Sequence, residues 1–226
     1  MRKVFGICCI VLGVCCLIAS VGFIAYNRWE AENAQNVSMR ILQNMQEEIL
    51  DNTHNESVSD NSILEESIAE ETAETASVET EPDESAEIPG NISREMPAAR
   101  VNGYDCIGAL SIPVLNLELP VLADWSYDKL RVAPCHYFGS CLEENFVIAA
   151  HNYQAHFGRL SALQPKDLVL FTDISGTVYY YEVVLLETLS ANAAEEMITS
   201  GFDLSLYTCT PGGSSRVTVR CNAISG

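Results

Sequence analysis

The sequence predicts a mostly β domain of about seven or eight strands with two or three short helices, behind a transmembrane helix and a disordered acidic stalk. Three observations predict it. Short apolar runs rich in Val, Tyr, Leu and Thr recur in the last part of the 226-residue chain, with turn residues between them. An uncharged apolar stretch, Val4 to Tyr26, stands at the N-terminus. Between the two lies a segment rich in Glu, Ser, Thr and Ala, which holds most of the acidic charge behind the net charge of −19. The reading divides the chain into 1–28 (tip and anchor), 29–99 (stalk) and 100–226 (globular domain). The last piece is of ordinary single-domain size and can bury its own core.

The first element is the anchor. Val4–Tyr26 is long enough to cross a hydrocarbon core of ~30 Å as a helix. Arg2 and Lys3 precede it, while Arg28 is offset by Glu30 and Glu32. The positive-inside tendency therefore places the N-terminus in the cytoplasm and the remainder outside. A cleaved signal fits less well, because the stretch is longer than the usual core of ~7–15 residues and no small-x-small site closes it. A lipoprotein signal needs a small residue before its Cys, but Ile7 precedes Cys8 and Val14 precedes Cys15.

The stalk begins with a weak helical signal from Ala31 to Leu50. Val37, Ile41, Met45 and Ile49 recur every fourth residue and share one face, as in a short helix or a packing surface. After Asp51 the periodicity fades, and such a composition cannot offset its ordering entropy. It reads as a flexible, charge-extended tether. Its acidity excludes non-specific nucleic-acid binding, which needs clustered Lys and Arg.

The domain's strands follow in order: Cys106–Ile112, Leu115–Leu122, Asn145–His151, Leu168–Asp173, Thr177–Thr188, Asp203–Thr210 and Arg216–Cys221. Ile174-Ser175-Gly176 and the Pro211–Ser215 stretch supply hairpin turns. Val217, Val219 and Cys221 alternate with Arg216, Thr218 and Arg220, the period-two mark of a strand with one buried face. A closed barrel or a sandwich satisfies this pattern. Ser126–Val132, Phe157–Leu163 and Ala191–Ser200 read as short helical insertions. No Gly-rich phosphate cradle is present, and His151 and His156 lack the Glu pattern of a zinc site. No cofactor or metal is expected.

Cys209 lies at a predicted strand end, just before Pro211-Gly212-Gly213, where a side chain can leave a packed barrel and stay reachable. His151 closes another apolar strand. A thiol becomes a useful nucleophile when a base or cation stands beside its thiolate. Arg216 opens the strand after Cys209, so a hairpin returns it toward the Cys, where it faces charge developing on an acyl oxygen. Arg220, four residues on and on the same face, is the alternative.

These residues resemble the sortases. The resemblance covers about Cys106 to Cys221 and rests on several segments in one order. Ile112-Pro113 through Leu119-Pro120-Val121 is similar to the family's Ile-Pro…Pro-Val opening, and His136-Tyr137-Phe138-Gly139-Ser140 to its His-Tyr-Pro-Gly-Thr segment. Ile148-Ala149-Ala150-His151 is similar to its Ile-x-Gly-His strand end, with Ala150 in place of Gly. Ser205-Leu206-Tyr207-Thr208-Cys209 matches its Thr-Leu-x-Thr-Cys signature, and Arg216-Val217-Thr218-Val219 its Arg strand. The resemblance implies a closed β-barrel and a cysteine transpeptidase that cleaves an LPxTG-like sorting signal of secreted proteins. It does so through a thioacyl-enzyme and joins the product to an amine of a peptidoglycan precursor or pilin. It implies Cys209, His151 and Arg216 as catalytic residues and Thr208 and Asn152 as substrate contacts, with His136 structural. It also implies the outer face of a Gram-positive cell membrane.

Cys135 and Cys141 flank a turn and stand as a candidate disulfide in an oxidising compartment. Two competing readings remain: another extracellular cysteine hydrolase or transpeptidase, and a non-catalytic β-domain for adhesion or assembly with an inert Cys209.

Overall fold

The computed structural model describes residues 2–56, 96–143 and 145–224, with side chains from 12 to 47 in the first stretch. Most of the acidic tether, 57–95, lies outside the described residues. Helix α1 runs unbroken from Arg2 to Glu56. The remaining elements are β1 (Ala99–Val101), β2 (Tyr104–Ile112), β3 (Leu117–Leu122), α2 (Tyr127–Leu130), β4 (Cys135–Phe138), β5 (Phe146–Ala149), β6 (Leu168–Asp173), β7 (Val178–Ser190), α3 (Ala194–Ile198), β8 (Leu204–Cys209) and β9 (Ser215–Ala223).

The strands form one sheet in the order β1-β2-β3-β4-β5-β8-β9-β7-β6, and β6 returns to pair with β2. That last pairing closes β2 to β9 into an eight-stranded barrel, with β1 a short flap on the start of β2. Closure removes the open edges that a flat sheet would expose. The β3–β4 and β5–β8 pairs are parallel and the others antiparallel. Alternate residues fill the interior: Leu110, Phe146, Ile148, Phe171, Val183, Leu204, Leu206 and Val219 are all fully buried. Phe146 and Phe171 meet edge to face at 5.0 Å between ring centres.

The strand runs read from the sequence reappear, with local differences. Asn145 takes a left-handed backbone (φ 63°), so β5 starts at Phe146. The same strand ends at Ala149, and His151 stands two residues beyond it. The Phe157–Leu163 insertion contributes only one 3₁₀ turn, Leu160–Ala162. Ser126 caps α2 through its side chain, which accepts from the Lys129 N–H. Cys135 and Cys141 are both free thiols. The Cys135 thiol points to the Ala133 carbonyl at 3.4 Å and that of Cys141 to the Met96 sulfur at 3.7 Å. Burial pushes Cys135 up to about 12, so it is an inert core thiol.

The apolar side chains of α1 from Leu12 to Ile24 are exposed, as a lipid-facing band is in the absence of lipid. This is one helix long and apolar enough to cross a membrane. At Glu30 the helix acquires a second face. Ala34, Ser38, Ile41, Leu42 and Met45 are buried, with Val37 alongside, against Val101, Cys106, Leu122 and Cys135 of the barrel wall. The four-residue spacing noted in the sequence thus marks a packing surface, and its partner is the chain's own barrel. Asn44 donates to Asn102 and Gln46 to Glu118, each at 2.8 Å. This part of the segment assigned to the stalk is a docked helix, because Ile41 and Met45 repeat at the helical period and find an apolar wall.

Candidate active site

Three neighbouring strands, β5, β8 and β9, build the site. On β8 the odd positions Ser205, Tyr207 and Cys209 point out of the barrel, since Leu204 and Leu206 fill it. The parallel register places Val147 opposite Ser205 and Ala149 opposite Tyr207. The Ala150 N–H extends this ladder by donating to the Tyr207 carbonyl at 3.1 Å. His151 follows Ala150 in the loop that leaves β5, and Cys209 ends β8. On the other flank, Ser205 pairs with Arg220, Tyr207 with Thr218 and Cys209 with Arg216. The outer face of β8 and β9 therefore carries three paired rows, the last of them Cys209–Arg216. Paired residues on one face of a sheet stand ~5 Å apart between Cβ atoms.

Helix α3 covers the first row. Met197 packs with Val147 and Leu189. Arg220, 2% exposed, donates to Glu187 at 2.7 Å, to the Ser205 hydroxyl at 2.8 Å, and to the carbonyls of Glu196 and Met197 at 2.9 and 3.2 Å. A guanidinium so engaged is a structural post. The last row stays open: Cys209 is exposed, and Arg216 is half-buried, resting on the carbonyls of Gly213 and Ser215 at 3.0 and 3.1 Å. The turn between the two strands is short because Gly212 (φ 84°) and Gly213 (φ 74°) both take left-handed conformations. The Thr210 and Ser215 backbones close it at 2.9 Å.

His151 sits in a loop tied to the core by Phe157, whose N–H donates to the His151 carbonyl at 3.2 Å and whose ring is fully buried. Gly158 lets this loop fold tightly, since a Cβ there would lie 2.5 Å from the Asn152 carbonyl oxygen. His151 Nδ1 is 2.9 Å from Asn152 Oδ1. An amide oxygen only accepts, so Nδ1 carries the proton and Nε2 is the basic nitrogen. The ring stacks face to face on Tyr153 at 4.0 Å, with 6° between planes. Burial lowers the His151 pKa, outweighing the Asn152 bond and the Glu30 carboxylate, which raise it. The imidazole is then neutral at pH 7, as a proton acceptor must be.

Thr208 faces inward. It is 3% exposed, and its hydroxyl donates to the Ala150 carbonyl at 2.8 Å, next to His151. It braces β8 to β5 rather than presenting its side chain to a substrate. Both His136 nitrogens face carbonyls, of Ala123 at 3.1 Å and Gly139 at 2.7 Å, tying the turn after β4.

Three features were missed in the sequence. Tyr153, the ring under His151, carried no motif. Trp125, Tyr137 and Tyr207 form an aromatic row toward Cys209, with ring centres 5.6 and 5.4 Å apart. Glu30 of α1 lies 3.6 Å from Arg131. The aromatic row comes from three separate elements, so no spacing in the chain announces it. A groove of about 750 Å³ between α1 and the β2–β3 region is lined by Met39, Leu117, Gln154 and Arg159 and does not contain Cys209. Among the described residues no cluster of metal-ligating side chains occurs.

A family model described as Sortase domain matches residues 110–224, just over half of the chain. The chain belongs to the sortase family. Similar solved structures include sortase A from Corynebacterium diphtheriae, at 21% identity over 54% of this chain and 62% of that one, with a TM-score of 0.49. Sortase C from Clostridium perfringens SM101 is 23% identical over 54% of this chain and 71% of that one, TM-score 0.48. Streptococcus pneumoniae sortase C is 29% identical over 54% of this chain and 67% of that one, TM-score 0.48. This sortase spans less than two thirds of the corynebacterial protein's length. The comparison with curated proteins gave no match.

Proposed function

We propose that this sortase is a cysteine transpeptidase that cleaves an LPxTG-like sorting signal of a secreted protein and joins it to an amine of a peptidoglycan precursor or pilin. The observation that carries the reading is the open Cys209–Arg216 pair across β8 and β9 of a sortase barrel, with His151 in the loop that follows the neighbouring strand β5. His151 takes the Cys209 proton at Nε2, and the thiolate adds to the Thr carbonyl carbon of the signal. The Arg216 guanidinium swings from its turn carbonyls to the oxyanion, whose developing charge it stabilises. Collapse breaks the Thr–Gly bond, and imidazolium gives its proton to the leaving amine. An acceptor amine then attacks the thioester, loses its proton to His151, and frees the Cys209 thiol. Asn152 holds the productive tautomer, and Thr208 keeps β5 and β8 in register. The Trp125–Tyr137–Tyr207 row offers an apolar wall for the signal's Leu and Pro.

The apolar part of α1 fits a membrane anchor. With Arg2 and Lys3 on the inner side, the barrel lies outside the cell membrane. The division at 28 and 99 into anchor, tether and catalytic domain belongs to the same reading, with the docked part of α1 assigned to the barrel.

The test is intact-mass analysis of the full-length protein in detergent micelles, mixed with LPxTG-type peptides and amine acceptors. A thioacyl adduct or ligated product that disappears in Cys209→Ala supports the proposal. A Cys209 that resists a mild alkylating agent as Cys135 does, with no adduct from any peptide, overturns it in favour of a display domain.

A further inference from the structure

Helix α1 runs unbroken from Arg2 to Glu56, so its apolar part and its docked part form one rod. Tyr26 and Trp29 close the apolar part. Their rings are exposed, with centres 6.2 Å apart, as an aromatic pair at the headgroup level is. Contact with the barrel starts at the next residue. The Glu30 carboxylate lies 3.6 Å from the Arg131 guanidinium, and Ala34 is buried one turn on. Glu30 is four residues after Tyr26, about 6 Å of helical rise. The headgroup layer on each side of a bilayer is about 5–7 Å thick. With Tyr26 at the inner edge of that layer, Arg131 stands at its outer edge.

Arg131 caps α2, and one turn back on the same face is Tyr127. Tyr127 is 78% exposed, more than Leu17 or Phe23 of the apolar span at 68% and 67%. Its ring meets that of Trp125 edge to face at 5.8 Å, and Trp125 packs on the barrel beside the docked part of α1. The basic groups of this corner are paired, Lys129 with Asp124 and Arg131 with Glu30. The corner therefore offers aromatic rings without net positive charge, a surface suited to a polar–apolar boundary rather than to an anionic partner.

We propose that the α2 corner, Trp125 and Tyr127 with Arg131, is a second membrane contact that seats the barrel on the headgroup layer of the bilayer spanned by α1. The inference rests on the reading of the apolar part of α1 as a membrane anchor. The occupant is lipid because the rod delivers the corner to that depth. The anchor also keeps it there at high effective concentration, so a weak contact suffices. Amphipathic rings gain at this level, where the ring leaves water and its polar tip stays wet. From Trp125 the rings continue through Tyr137 to Tyr207, at 5.6 and 5.4 Å, and Tyr207 shares the outer face of β8 with Cys209. The aromatic path to the nucleophile thus starts at the lipid surface.

The chain's two tryptophans separate the anchor from the corner. The test uses the full-length protein in phosphatidylcholine vesicles that carry a nitroxide on the headgroup, compared with unlabelled vesicles. Trp29→Phe leaves Trp125 as the only indole, and Trp125→Phe leaves Trp29. Trp29 is expected to be quenched strongly and Trp125 roughly half as much, since it stands one headgroup layer higher. Adding Tyr127→Ser to the Trp29→Phe protein should lower the quenching of Trp125 and leave the melting temperature unchanged, because the side chain is exposed. The quenching should persist at high salt and need no anionic lipid, because the basic groups are already paired. A quenched Trp29 beside an unquenched Trp125 overturns the proposal and leaves the anchor standing. An unquenched Trp29 overturns the anchor reading and the proposal with it. A Trp125 shielded from acrylamide yet untouched by the nitroxide points to a second copy of the chain on this corner and also overturns it. If Trp125→Phe does not fold, the difference between wild type and Trp29→Phe supplies the Trp29 signal.

Discussion

Arg216 and Arg220 share one strand face in the sequence, the first assigned and the second its alternative, and are opposite in the structure, a contrast that supports a crossover experiment. Arg220→Ala removes a guanidinium that is 2% exposed and engages Glu187, Ser205 and two α3 carbonyls. Breaking a buried ion pair by deleting one partner costs about 3–5 kcal/mol. Glu187 keeps about a third of its side chain in water (31%), so it can rehydrate, and the lower end, about 3 kcal/mol, applies. For a domain of this size that corresponds to a melting-temperature loss of roughly 10 °C. Arg216→Ala removes only bonds to two turn carbonyls from a half-buried, solvent-reached side chain. Its effect on stability should stay within about 0.5 kcal/mol. Its effect on turnover should be large, roughly 10²- to 10³-fold in kcat, the usual loss for one oxyanion donor. The assay pairs thermal unfolding by circular dichroism with the peptide–amine ligation rate measured well below each variant's melting point. An Arg220→Ala protein that melts like the wild type but has lost turnover, beside an Arg216→Ala protein that keeps it, would refute the assignment and the role given to the α3 cap.

Further outcomes follow from single contacts. Gly158→Ala sets a Cβ 2.5 Å from the Asn152 oxygen and 2.7 Å from that of Tyr153, so the His151 loop must shift. Ligation should fall much more than stability, with Cys209 alkylation slowed in parallel. His156 is fully buried with neither ring nitrogen hydrogen-bonded among the described residues, and burial followed by the nearby His151 lowers its pKa to about 4. The unfolded chain takes up that proton near pH 6.5, so stability falls as pH drops from about 6.5 to about 4, by roughly 3 kcal/mol in all. His156→Phe should flatten the acid side of the melting-temperature profile and leave pH 7 stability unchanged or higher. Ile41→Ala removes a fully buried side chain between α1 and the barrel and should cost about 2–4 kcal/mol, read by denaturant unfolding in micelles. Thr208→Val deletes a buried 2.8 Å bond to the Ala150 carbonyl and should cost about 1 kcal/mol.

Much of this protein was determined by local pattern alone. Hydrophobic period marks the span from Val4 to Tyr26, because lipid demands an unbroken apolar helix whatever the rest of the chain does. Period two marks β6 to β9, because each strand has one face in the core, as Val217, Val219 and Cys221 show against Arg216, Thr218 and Arg220. The exposed strand-end position of Cys209 follows from its neighbours, Thr208 before it and Pro211-Gly212-Gly213 after. Tertiary structure alone decided which arginine is free, since the bonds that bury Arg220 come from Glu187 and from α3, far along the chain or across a turn. It alone paired β5, which leads to His151, with β8, which ends at Cys209, because a parallel pairing has no signature in spacing. It also turned the Val37–Ile41–Met45 stripe from the start of a tether into a docked helix, and brought Glu30 to Arg131. Long-range pairing depends on which surfaces meet when the barrel closes, and a one-dimensional pattern specifies that each surface must be covered but not by what.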